Sequence, residues 1–257
     1  MDYVCTFGVN YKLMKFISFS CFTLLILSVL ACNQNNEARN SKNAALKIKP
    51  DRFNVAFLIT NGTYNTELTA SFDVFQNSQS SKNIKSMNVF TVANTLDPIT
   101  TFEGLSILPD FDYTKKNLPE IDILVIPGAK AHTNKNLEDV LLLSFVKKVD
   151  EKSLYMTSSG NGAFVLAQAR LLDTIASTSF PDEIGAYQRM FPNLNIRKNS
   201  FFVHDGKYIS SAGGSKSFDA ALYLCELLYG KEVSQDIAKA LLIEWDVNRI
   251  PHFIVRQ

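Results

Sequence analysis

At 257 residues, with 46% hydrophobic and 20% charged residues, the chain lies in the globular range and is long enough to bury a full core as one domain. A formal net charge of +1 leaves no basic footprint for nucleic acid. Of its 4 cysteines only Cys225 falls in the presumptive globular part, and no Cys-x-x-Cys spacing occurs, which excludes a disulfide framework and a cysteine-built zinc site.

The first segment reads as an export address. Lys12 and Lys15 precede an apolar run over residues 16–31, about the length of a signal-peptide core and short for a span of ~20 residues. The run ends in Val29-Leu30-Ala31-Cys32, which resembles the bacterial lipobox; that resemblance makes Cys32 the lipidated residue and the new N-terminus. Residues 1–31 are then the signal, with Met14 an alternative start, and the product is expected on a bacterial membrane, facing the periplasm or the cell surface. The competing reading is a buried N-terminal helix with an incidental cysteine. Residues 33–43 (NQNNEARNSKN) argue against it, because they carry no apolar period and suit a tether. The tether is taken as residues 32–52 and the folded domain as 53–257. Loss of the leader removes Lys12, Lys15 and Asp2, so attachment is expected through lipid rather than through a polybasic patch.

From residue 54 short β-branched runs alternate with helical periods, the signature of an α/β fold with a mainly parallel sheet between helix layers. Strands are expected over residues 54–60, 86–93, 121–126 and 154–158, with a hairpin at 100–108 around Gly104. Helices are expected over 67–77, 137–149, 163–170 and 183–191. Two short strands at 201–204 and 208–211 precede helices over 218–229 and 233–245.

In open α/β sheets ligands bind outside the carboxyl ends of the strands. The segments to compare are therefore residues 62–67, 127–132, 158–162 and 211–215, which together are expected to enclose a small pocket. Its expected lining is Gly128, Ala129, His132, Asn161, Gly162 and Gly213. His132 is either a pocket-facing base or an exposed loop histidine, whereas His204 and His252 read as structural. The histidines lack metal-ligand spacing, and neither a metal nor a cofactor is expected.

At these segments the sequence resembles the ThiJ/PfpI family of the class I glutamine amidotransferase-like superfamily, especially its isocyanide hydratase and sensory-domain branch. The carriers are Thr66-Glu67-Leu68-Thr69 with Asp73-Val74-Phe75, Ile126-Pro127-Gly128, Gly162-Ala163-Phe164-Val165-Leu166-Ala167 with Leu171-Leu172-Asp173, and Ser211-Ala212-Gly213 before Asp219-Ala220-Ala221-Leu222. The resemblance implies a flavodoxin-like three-layer sandwich and a homodimer. It also implies a cysteine at the elbow between strand and helix, with a nearby carboxylic acid to handle its proton. Glu67 matches the acid, but the cysteine position is Gly160, and Asn161 stands where the protease-like branch carries histidine.

Glycine has no side chain to attack a substrate, so the family's covalent mechanism does not transfer. Ser159 is a weak substitute, since its surroundings are not Gly-x-Ser-x-Gly; it reads more simply as a cap or turn residue. Glu67 is open to two compatible readings, as pocket lining and as the first-turn acid of a helix capped by Asn65 or Thr66. Asp219 reads as a capping or pairing residue. The expected function is binding of a small molecule or partner without catalysis. The alternative is a hydratase, lyase or hydrolase that uses Glu67 as acid or base on water. A transcriptional regulator is a third reading, disfavoured by export and by the lack of a helix-turn-helix pattern in the sequence.

Overall fold

The computed structural model describes residues 46–255. The expected signal, the expected lipidation at Cys32 and most of the expected tether fall outside them. Lys47 to Gln257 is one unit, and within its described residues no helix is long and apolar enough to cross a membrane.

Strand β1 (Phe53–Leu58) alternates its side chains between two cores, as a period of 2 requires. Val55 and Phe57 enter one apolar cluster, and Ala56 and Leu58 the other. The same division holds in β6 (Ile123–Ile126), where Ile123 and Val125 face the first cluster and Leu124 and Ile126 the second. A strand buried on both faces belongs in the middle of a sheet. The sheet is eight-stranded, and β1 and β6 lie side by side near its centre. Its order is β12-β10-β11-β7-β6-β1-β2-β5, with β2 at Met87–Ala93, β5 at Phe111–Asp112, β7 at Tyr155–Ser159, β10 at Phe202–Asp205, β11 at Tyr208–Ser211 and β12 at His252–Ile254. All pairs are parallel except the β10–β11 hairpin. The expected small hairpin is present as β3 (Ile99–Thr100) and β4 (Ser106–Ile107). A further two-stranded ribbon joins β8 (Ala176–Ser177) to β9 (Asn195–Ile196).

Helices cover both faces. On the first, α1 (Asn65–Asn77) buries Leu68, Val74 and Phe75 against α6 (Lys216–Tyr229) and α7 (Lys231–Ala240). On the second lie α2 (Lys135–Glu138), α3 (Val140–Asp150), α4 (Gly162–Gln168) and α5 (Ile184–Met190). This is the expected three-layer α/β sandwich.

Several boundaries differ from the sequence reading. The single helix expected over residues 137–149 is two, because Asp139 leaves the helical conformation and accepts from Leu141 N and Leu142 N as the cap of α3. The last helix stops at Ala240, and Leu242 takes a left-handed φ of 57°. Trp245 lies beyond that helix, where its indole N–H donates to Glu226 at 2.6 Å. The fold also begins before Phe53. Ile48 packs against the second cluster, and the Asn88 side chain clamps both backbone groups of Lys49, accepting from its N–H at 3.2 Å and donating to its C=O at 2.9 Å.

Candidate functional site

Parallel strands β1, β6 and β7 and their neighbour β11 bring the segments that follow them to one edge. The four expected segments do converge there, but around a carboxylate rather than an open pocket. Glu67, in the first turn of α1, is 5% exposed and turns away from its own helix end, where Tyr64 occupies the cap position without a side-chain hydrogen bond. Its Oε2 accepts from Gly128 N at 2.8 Å and its Oε1 from Gly214 N at 3.1 Å. Of the two sequence readings of Glu67, site lining is the one its contacts express.

Three glycines make room for that carboxylate. A Cβ built on Gly128 would stand 2.3 Å from Oε2, one on Gly160 2.7 Å from Oε1, and one on Gly213 2.5 Å from Oε1. Gly160 occupies the elbow between β7 and α4 with a left-handed φ of 49°, a conformation that glycine takes at little cost. Its N–H donates to Ser211 O at 3.0 Å, and its C=O accepts from Ser179 Oγ at 2.9 Å. The elbow is therefore held from both sides while its own side-chain position belongs to Glu67. Gly162 serves another purpose: a Cβ there would lie 2.0 Å from Ile126 O, so it permits α4 to pass directly over β6.

Asn161 is buried beside the elbow. Its Oδ1 accepts from Ala129 N at 2.9 Å and its Nδ2 donates to Glu183 Oε1 at 3.1 Å. Glu183 was not anticipated as part of the site. It ends a short turn before α5, and its link to Asn161 is a tertiary one that no local spacing announces. Tyr64 completes the rim, edge-on to the half-exposed Phe102 ring at a centroid distance of 5.1 Å.

The electrostatics follow from burial and like charge. Burial pushes the Glu67 carboxyl above the ordinary glutamate value, the negative charges of Glu183 and Glu103 add to the rise, and the Gly214 and Gly128 N–H groups only partly oppose it. Burial also raises Glu183, against the pull of the Asn161 hydrogen bond. The site thus holds two carboxyls, both raised above the ordinary glutamate value chiefly by burial.

The remaining predicted residues are placed differently. His132 is neither exposed nor directed at a ligand. It is fully buried, its Nε2 contacts Pro127 O at 3.1 Å and its Nδ1 contacts Asn136 Nδ2 at 2.8 Å. A carbonyl only accepts, so Nε2 carries the proton and Nδ1 accepts from the amide. Burial pulls its pKa down to about 4, so the ring is a neutral brace behind Pro127. Ser159 is not a cap or turn residue but the last residue of β7, paired with Ser211 and 3% exposed. Asp219 pairs with Lys216 at 3.5 Å. His204 bonds Tyr223 Oη at 2.8 Å and His252 stacks on Phe202, structural roles in both cases. Among the described residues, no group of three or more His, Cys, Asp and Glu side chains gathers to hold a metal ion.

A mainly parallel sheet between helix layers, with a strand-to-helix elbow at Gly160 beside an acid from the first helix, defines a flavodoxin-like α/β domain. The chain belongs to the DJ-1/PfpI family, whose pattern it matches over residues 53–227. It is 27% identical over 182 residues to the isonitrile hydratase of Pseudomonas putida, covering 70% of this chain and 74% of that protein. It is 29% identical over 102 residues to the HTH-type transcriptional regulator CdhR of Pseudomonas aeruginosa, covering 40% of this chain and 30% of the regulator. The fold is shared with the crystal structure of DJ-1beta from Drosophila melanogaster, at a TM-score of 0.64 and 22% identity, covering 76% of this chain and 100% of that one.

Proposed function

We propose that the chain is an exported member of the DJ-1/PfpI family, lipid-anchored through Cys32, whose domain binds a small molecule or a partner without covalent catalysis. The observation that carries this reading is the pairing of Gly160 with Glu67. The elbow retains its left-handed backbone and its hydrogen bonds, yet the place of its side chain is taken by a carboxylate. The charges of Glu103 and Glu183 reach both Tyr64 and Glu67, and the ligand is received beside these groups. Export and lipidation rest on residues 12–43, outside the described part, and association as a homodimer belongs to the same proposal through the family resemblance.

A second reading is favoured by one observation, the raised pKa of Glu67. A buried carboxyl poised to exchange a proton suits hydration or elimination without a covalent intermediate. One relative, the isonitrile hydratase of Pseudomonas putida, carries a name that states a hydration.

The test is a paired screen of residues 47–257, a unit that carries both hydrophobic clusters and every strand of the sheet. Wild type and Gly160→Cys are incubated with isocyanides, reactive aldehydes and amides. Turnover by the cysteine variant alone supports the binding reading. Turnover by wild type that Glu67→Asp abolishes replaces it with the water-based enzyme.

A further inference from the structure

The chain running from β5 to β6 stands away from α3 and leaves a cleft of about 650 Å³ that shares no residue with the elbow site. Its size lies in the range of ~300–1,000 Å³ typical of small-molecule sites. Helix α3 lines one wall with Leu141, Ser144, Phe145 and Lys148, and Lys152 follows just beyond its end. Thr114, Lys115, Lys116, Leu118 and Ile121 line the other.

The two walls combine aromatic and aliphatic side chains with lysines. Tyr113 and Phe145 stack at 4.4 Å with their planes 10° apart, giving a rigid aromatic pair at the join. Leu141 is left 64% exposed at the margin, next to Val140 at 73%. Four lysines line the cleft against two acids, Glu120 and Glu151. Glu120 is already paired with Lys152 at 3.5 Å, and Lys115 leans on Asp112 at 3.8 Å. Lys116 and Lys148, from opposite walls, pair with no carboxylate among the described residues. Two lysines without a carboxylate partner, one on each wall of a cleft that also holds an aromatic pair, suit an anion with an apolar body.

We propose that this cleft is a binding site for an aromatic carboxylate, held by Lys116 and Lys148 with its ring system laid against Tyr113, Phe145 and Leu141. The ligand is drawn in by the lysines, and its apolar body is what covers Leu141. The site is independent of the elbow.

The test is isothermal titration of residues 47–257 with 2-naphthoate, and in parallel with the uncharged 2-naphthalenemethanol. Saturable binding of the carboxylate is expected, about tenfold or more tighter than that of the alcohol, and weaker at high salt. The double charge reversal Lys116→Glu/Lys148→Glu is expected to weaken it about tenfold or more. Ser144→Trp, which fills the cleft from an exposed position, is expected to abolish it. Circular dichroism verifies that each variant is folded, and Gly160→Cys is expected to leave the titration unchanged. Equal binding of alcohol and carboxylate, binding indifferent to the cleft variants, or no saturable binding of 2-naphthoate overturns the proposal without touching the elbow reading.

Discussion

The carboxylate of Glu67 stands in the space a side chain at Gly160 would need: a Cβ built there would meet Oε1 at 2.7 Å and Oε2 at 2.8 Å. Acid and elbow, which belong to different layers of the sandwich, are therefore coupled by exclusion.

Gly160→Ala is expected to cost about 2–4 kcal/mol, from the left-handed backbone and from overpacking against Glu67. In a Glu67→Ala background the overpacking part disappears, and the same substitution should cost about 1–2 kcal/mol less. Urea denaturation of the four proteins in the cycle measures the coupling. Strict additivity would mean that the two positions do not contend for one space.

Glu67 and Glu183 make a contribution to stability whose sign is set by their raised pKa values. A carboxyl that holds its proton more tightly folded than unfolded stabilises the protein fully below the unfolded value, and the contribution is lost as pH rises through the folded one. Carbon-13 titration of the Glu67 carboxyl is expected to give a pKa above 4.5, the ordinary glutamate value. Glu67→Gln is not a silent mimic of the acid form. Both carboxylate oxygens accept from backbone N–H groups, so an amide must point its own donor at one of them, at a cost of about 1–3 kcal/mol.

His132 works in the opposite direction. Its folded pKa of about 4 lies below the usual 6.5, so stability is present above pH 6.5 and falls as pH drops towards 4, by about 3 kcal/mol in all. Imidazole resonances in a proton–nitrogen correlation spectrum should show a neutral ring with the proton on Nε2 at pH 5.5. A charged ring at that pH would contradict its burial.

Gly162→Ala is expected to prevent folding, because its Cβ would fall 2.0 Å from the carbonyl oxygen of Ile126 and both partners are backbone. The loss should exceed about 4 kcal/mol, the range reserved for steric conflicts with no escape. Soluble expression and the circular dichroism spectrum report it.

Asn161→Asp is expected to destabilise by about 1–3 kcal/mol. The oxygen facing Ala129 N survives, but the donor to Glu183 becomes a second negative charge at 3.1 Å. The penalty should shrink as pH falls and the carboxyls take up protons, and a penalty independent of pH would argue against the contact.

The central strands were legible in the sequence because an unbroken apolar run such as Ile123–Ile126 has few other uses. β5, β8 and β9 were not, since two residues carry no period. Asp139 fell inside one expected helix, and only the backbone reveals that it closes one helix and caps the next. At the site, Glu67 and Gly160 were found through the family resemblance. The buried state of His132 ran against the expectation for a loop residue, and the Asn161–Glu183 link, 22 residues apart, depends on how α5 returns to the sheet.

The clamp of Asn88 on Lys49 sits at the amino ends of β1 and β2, whereas Gly160 follows the carboxyl end of β7. With about 3.3 Å per strand residue, the two are separated by the full height of the sheet, about 20 Å. Substitutions at the Lys49 clamp and at the glycine cradle therefore lie far enough apart, with no shared partner, for their effects on stability to add.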